Sequence, residues 1–286
     1  MKLPCDVVGL AVLAACVVLA LAAAPLALGR DAAPGELDLL ELVRRAFERT
    51  FHQPGVRSVQ LRIERGGRVV SHRAFELAYR RDGRIARSLL RFTEPEYLRG
   101  TALLIVDQDG ASDTWLFQPS EQRARRVGTA QKADSFYGSD LSLEDLERTH
   151  WVRWRLASEG DAVEAGRACR LVEAVPRVES QYGRLLVWID RELSGVARID
   201  FHRPGAVEPF KRLRVPLDGA TEERGFLRIG GLEVEQIGRD ARTVVELTRL
   251  AIDPDLASGV FSAMRLERGG DELFERSSRG DERPEP

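Results

Sequence analysis

From residue 57 onward the apolar side chains fall on every second position. In 57–65, Val59, Leu61 and Ile63 alternate with Ser58, Gln60, Arg62 and Glu64. Successive side chains of a strand point to opposite faces, so this alternation predicts a strand with one buried face. Gly66-Gly67 turns the chain, and 69–80 follows with Phe75, Leu77 and Tyr79 on one face. Arg81-Asp82-Gly83 then carries the Asp-Gly hairpin signal. The pattern repeats over 84–92, 101–106, 113–118, 151–156, 170–175, 184–190, 196–202, 208–215, 226–229, 232–237 and 242–252. That makes about a dozen short strands at the spacing of an all-β sandwich or barrel. No strand–helix–strand rhythm interrupts them, which argues against a doubly wound parallel sheet.

Helices are few. Leu37, Leu40, Val43 and Phe47 recur at three- and four-residue steps and predict one helix over 36–51, stopped by Gln53-Pro54-Gly55. Ser142 is positioned to cap a short helix over 143–148, with Asp145 completing a capping box. A second short helix is expected over 254–261. Past Gly269-Gly270 the chain is mostly Asp, Glu, Arg, Ser and Pro, so 268–286 reads as a disordered tail.

The N-terminus reads as an address. Met1-Lys2 is followed by an uncharged apolar run over 7–28 that ends in Ala27-Leu28-Gly29. This is the layout of a secretory signal peptide over 1–29, with a domain over 30–267 behind it. Two alternatives stay open. About 22 residues rise about 33 Å as a helix, enough for an uncleaved membrane anchor. Leu13-Ala14-Ala15-Cys16 also matches a lipoprotein signal with Cys16 as the acylated residue. Each of the three exports the body to the periplasm.

Composition excludes several chemistries. Of the 286 residues, Lys+Arg number 43 and Asp+Glu 45, a balance that lacks the basic excess of a nucleic-acid binder. Outside the N-terminus Cys169 stands alone, so neither an internal disulfide nor a cysteine zinc site is available there. Its setting in 167–172 reads as a small buried hydrophobe, with a reactive thiol as the alternative. The histidines, His52, His72, His150 and His202, have no metal-ligand spacing. No G-x-S-x-G elbow, P-loop or G-x-G-x-x-G occurs. Neither an enzyme, a metal nor a cofactor is expected.

One stretch is distinctive. Arg99-Gly100-Thr101-Ala102-Leu103-Leu104 leads to Asp113-Thr114-Trp115-Leu116-Phe117-Gln118-Pro119, then to Arg125-Arg126-Val127. Phe136-Tyr137-Gly138-Ser139-Asp140 and Glu144-Asp145-Leu146 follow. In this order the segments resemble the outer-membrane lipoprotein-sorting proteins, the LolA/LolB-like family, in a divergent exported branch often encoded beside large membrane transporters. The resemblance extends over roughly 37–267. It implies a mainly β fold with some α: an open, curved antiparallel half-barrel wrapped around helices. It further implies a periplasmic carrier or chaperone that shelters a lipid, or the acyl chains of a lipoprotein, in an apolar cavity for transfer to the outer membrane. An inner-membrane transporter or another membrane protein would be its partner. The alternative within the same fold is a periplasmic regulatory module that binds a membrane-protein partner.

Candidate ligand contacts are Trp115, Phe117, Phe136, Tyr137 and Trp188. Trp115 and Phe117 share one face of a strand, where they either line a cavity or fill a core. The 136–140 segment is either a loop closing the mouth of the half-barrel or a turn held by its Asp and Gly. In 182–190, Leu185, Val187 and Ile189 point one way, and Leu186 and Trp188 the other. Arg123, Arg125 and Arg126 form either a solvated strand face or a docking patch for anionic head groups or an acidic partner.

Overall fold

The structure, a computed structural model, describes residues 34–108, 110–147, 151–252, 256 and 258–268. The predicted leading helix is α1 (Pro34–Phe51), which buries Leu39, Val43, Ala46 and Phe47. A run of hairpins follows: β1 (Gly55–Arg65), β2 (Arg68–Asp82), β3 (Ile85–Glu94), β4 (Ala102–Gln108), β5 (Ala111–Gln118) and β6 (Arg123–Arg126). After the short α2 (Leu143–Leu146) come β7 (Trp154–Glu164), β8 (Arg167–Pro176), β9 (Arg184–Asp190), β10 (Val196–His202) and β11 (Pro209–Arg214). β12 (Thr221–Glu223) and β13 (Phe226–Arg228) form a separate ribbon. β14 (Gly231–Gln236), β15 (Ala241–Ile252) and α3 (Ala263–Arg268) complete the described chain.

Thirteen of these strands make one antiparallel sheet, ordered β6-β5-β4-β3-β2-β1-β15-β14-β11-β10-β9-β8-β7. Each half is a local meander. The halves join where β1 pairs with β15, from Gly55 opposite Ile252 to Arg65 opposite Ala241. β6 and β7 remain as edges, so the sheet is open and curved rather than a closed barrel. β14 and β15 approach so closely at Gly231, with φ at +158°, that any Cβ there would collide with the Val245 carbonyl oxygen.

The register sorts the side chains. Leu61 lies opposite Val245, and Val245 opposite Leu232, in a row across the joint. Val59, Phe75, Leu90 and Leu103 extend that inner face through β1 to β4. On the other half Leu185, Val187, Ile199 and Leu213 continue it, and α1 packs against them through Val43 and Phe47. The inner face therefore wraps around α1 on one side and the 134–146 segment on the other.

The outer face differs between halves. Beneath β1 to β5, Ala78, Leu89, Leu104 and Phe117 are covered by Leu256, Phe261 and Leu266 from the C-terminal segment. Beneath β9 to β14, Asp200 is held by Arg198 at 2.5 Å and by Arg212 at 2.6 Å. Burial opposes its charge, but those guanidiniums keep its carboxyl below the ordinary value.

Several boundaries differ from the sequence reading. Ser142 and Asp145 do form the reciprocal capping box, yet α2 stops at Leu146 because Glu147 already has extended backbone angles. The strand expected from residue 151 begins at Trp154, since 151–153 is a 3-10 turn that buries Trp151 against Phe47. Arg123, Arg125 and Arg126 lie on the edge strand β6. Within the helix expected over 254–261, the described residues Ser258–Val260 form a 3-10 turn, and α3 follows it. The predicted signal peptide over 1–29 lies outside the described residues, as does the predicted tail beyond Arg268.

Candidate functional site

Between α1 and the α2 segment the inner face is left partly uncovered, as a hollow of about 200 Å³. Phe47 and Phe51 of α1 form one wall, and Leu141 and Leu146 of the α2 segment another. The floor is the sheet, with Leu61, Leu77, Leu90 and Ile105 from one half and Leu232, Val245 and Leu247 from the joint. The contact is thus between two covers and one sheet, and both covers are tied down by polar groups.

The α2 segment is held at two points. Asp145 receives Lys211 Nζ at 2.6 Å through Oδ2, and the Tyr182 hydroxyl donates to Oδ1 at 2.5 Å. Lys211 is 2% exposed, and its ammonium also lies 4.4 Å from the centre of the Phe201 ring. Burial pushes the Tyr182 hydroxyl well above its usual pKa, and the Asp145 carboxylate pushes the same way, so Tyr182 stays a donor. The second point is Asp140, which accepts from Arg65 at 2.9 Å and from the Thr243 hydroxyl at 2.7 Å. Ahead of both anchors in the chain, Phe136 packs against Phe75 and Phe92. Tyr137 (φ +50°) and Gly138 (φ +82°) make the turn.

Three ionisable side chains reach the hollow with charges to account for. Asp145 is matched by Lys211. Glu147 accepts from Lys132 at 2.8 Å and from Thr114 at 2.7 Å. Burial raises its pKa, against the pull of Lys132 and Thr114. Arg57, from β1, is 4% exposed and donates to the Phe51 carbonyl at 3.2 Å and to the Gln53 carbonyl at 2.9 Å. Among the described residues no group of three His, Cys, Asp or Glu is placed to hold a metal ion.

The five residues singled out in the sequence do not line this hollow. Trp115 and Phe117 lie together on the outer face of β5, opposite Leu104 and Ala102, under the C-terminal cover. Trp188 is on the outer face of β9, with the Arg198 guanidinium 4.1 Å from its ring centre. Phe136 and Tyr137 are together, with ring centres 5.3 Å apart, and border a separate open cleft with Leu116 and Arg125. Cys169 is a free, fully buried thiol. Arg57 and Lys211 had escaped notice. Each carries a signal in the sequence: Arg57 is in phase with Val59 and Leu61, and Lys211 with Leu213, so each puts a charge into an apolar row.

The model of a family described only as an uncharacterized protein matches residues 85–268. The chain belongs to that family. No curated protein matches the sequence. Among solved structures, a domain from Vibrio parahaemolyticus designated as outer membrane lipoprotein-sorting superposes with a TM-score of 0.73 at 21% identity, covering 80% of this chain and 98% of that one. A DUF1329 family protein from Desulfovibrio piger gives 0.72 at 24% identity, covering 81% and 98%. A LolA superfamily protein from Nitrosomonas europaea gives 0.60 at 16% identity, covering 78% and 96%. This family member therefore has the LolA fold. Among its described residues no helix is long and apolar enough to cross a membrane.

Proposed function

We propose that the protein is a periplasmic carrier that shelters an acyl chain of a lipid or lipoprotein in the hollow between α1 and α2, for transfer to the outer membrane. The observation that carries this reading is the hollow itself, an apolar space of about 200 Å³ bounded by side chains from both halves of the sheet. Packed interiors leave few voids larger than a water molecule. An apolar cavity of about 150 Å³ stays dry and takes up a small hydrocarbon. Each methylene moved from water into such a space gains about 0.8 kcal/mol. The LolA fold supports the same reading. In this proposal the carrier domain is 30–267, behind an export signal over 1–29.

The test is native mass spectrometry of gently purified protein, followed by lipid extraction. A mass excess that resolves into lipid on extraction is the expected result. Leu77→Trp, which fills the hollow, is expected to lose that excess while keeping a cooperative melt. Lipid-free protein that co-purifies with a membrane protein would instead favour a partner-binding module.

A further inference from the structure

Among the described residues, Arg57 is the one charge in the hollow's lining that meets no opposite charge. The carboxylates there, Asp145 and Glu147, are each matched by a lysine. Arg57 pairs with no carboxylate: its terminal nitrogens donate to two backbone carbonyls, and its Nε–H, fully buried, has no acceptor. A guanidinium offers five N–H donors in a planar fork suited to an oxyanion. Burying such a group without a counter-charge is strongly unfavourable. Closing the C-terminus of α1 through the Phe51 and Gln53 carbonyls uses two of its donors, and the partial negative charge there offsets part of that cost, but it leaves the Nε–H unmet. The lining around it is mixed, with His52, Tyr79 and Ser88 close by; apart from Thr50 and the lysine-matched Asp145 and Glu147, the rest of the hollow is hydrocarbon. An apolar space with one unmatched cation in its wall has the polarity of a single-chain anionic amphiphile. The volume admits at most part of one chain, since it is only modestly larger than a cavity of about 150 Å³ that holds benzene.

We propose that Arg57 is the head-group anchor of the hollow, which takes one acyl chain ending in an oxyanion, a carboxylate or a phosphate. This rests on the carrier reading and narrows its cargo. Burial has lowered the Arg57 pKa to about 10, against a smaller opposing pull from Tyr79, the direction expected of a cation that has lost its water and gained no carboxylate partner.

The test is displacement of a fluorescent alkyl probe from protein purified from the cell and freed of co-purifying lipid. Palmitate, hexadecyl phosphate, hexadecanol and hexadecyltrimethylammonium share a chain length and differ in the head. On the native sequence at least one of the two anions is expected to bind about tenfold or more tightly than hexadecanol, the effect of one hydrogen bond to a charged group, and the ammonium weakest. Which anion leads distinguishes a fatty acid from a phosphate head. Arg57→Met is expected to erase the preference while leaving hexadecanol affinity within about twofold, and Arg57→Lys to keep most of it. Equal binding of palmitate, hexadecyl phosphate and hexadecanol would overturn the anchor and leave the carrier intact. Binding of none of the four would overturn both. The head-group series needs no variant, so it decides the matter even if Arg57→Met does not fold.

Discussion

Lys211 on β11 and Asp145 on α2 form an ion pair at 2.6 Å with both side chains all but closed to solvent. The pair fixes one end of the α2 segment to the sheet, so breaking it strands a charge in the interior. Lys211→Met is expected to cost about 3–5 kcal/mol in chemical unfolding. Adding Asp145→Asn should return part of the loss, leaving a coupling of about 0.5–3 kcal/mol between the two sites. Strict additivity of the two substitutions would show that the pair does not act as a unit.

Phe117 separates packing from binding. It is buried on the outer face against Leu89, Leu104 and Leu266, away from the hollow. Phe117→Ala is expected to lower stability by about 3–5 kcal/mol while the remaining folded protein binds an alkyl probe as before. A selective loss of probe binding without a drop in melting temperature would place the ligand on the outer face.

Acid should weaken the fold through His202. The ring is buried on β10, and burial, with Arg184 nearby, holds its pKa below the ordinary 6.5. The unfolded chain then binds a proton that the folded chain refuses. The contribution is fully present above about pH 6.5 and is lost as pH falls toward the depressed folded value. Urea midpoints measured between pH 7.5 and pH 5 are expected to fall more steeply for the native sequence than for His202→Asn. Parallel slopes would remove His202 from the account.

The Cys169 thiol should be inert. Burial pushes its pKa up, and no solvent reaches it. In a chain carrying Cys5→Ser and Cys16→Ser, a thiol reagent is expected to leave the native protein unlabelled and to label it fully in denaturant. Rapid labelling of the native state would make Cys169 a reactive site.

The sheet was legible because its period was. Val59, Leu61 and Ile63 mark the inner face of β1 as plainly in the sequence as in space, and the α1 stripe likewise. What alternation cannot reveal is which way a sheet bends. Trp115 and Phe117 were correctly placed on a common face, but only the joint between β1 and β15 and the covering helix α1 determine that Leu116 points inward and Trp115 outward. The C-terminal cover was missed because α3 has only six residues, too few for a helical period to declare itself. The turn at 136–140 was identified by its Gly and Asp, yet its anchor Thr243 lies 103 residues away in the chain.

The joint between β1 and β15 also bears on how the chain assembles. Each meander can form from neighbouring hairpins, but the two strands at the middle of the sheet stand nearly 200 residues apart where Gly55 faces Ile252. Their pairing must wait until β15 has been made, and the loop it closes carries an entropic cost. Until then both meanders expose their central edge and their unpaired backbone groups. A nascent chain of this topology leaves the sheet incomplete until β15 emerges, a long interval in which it is still threadable through a narrow pore.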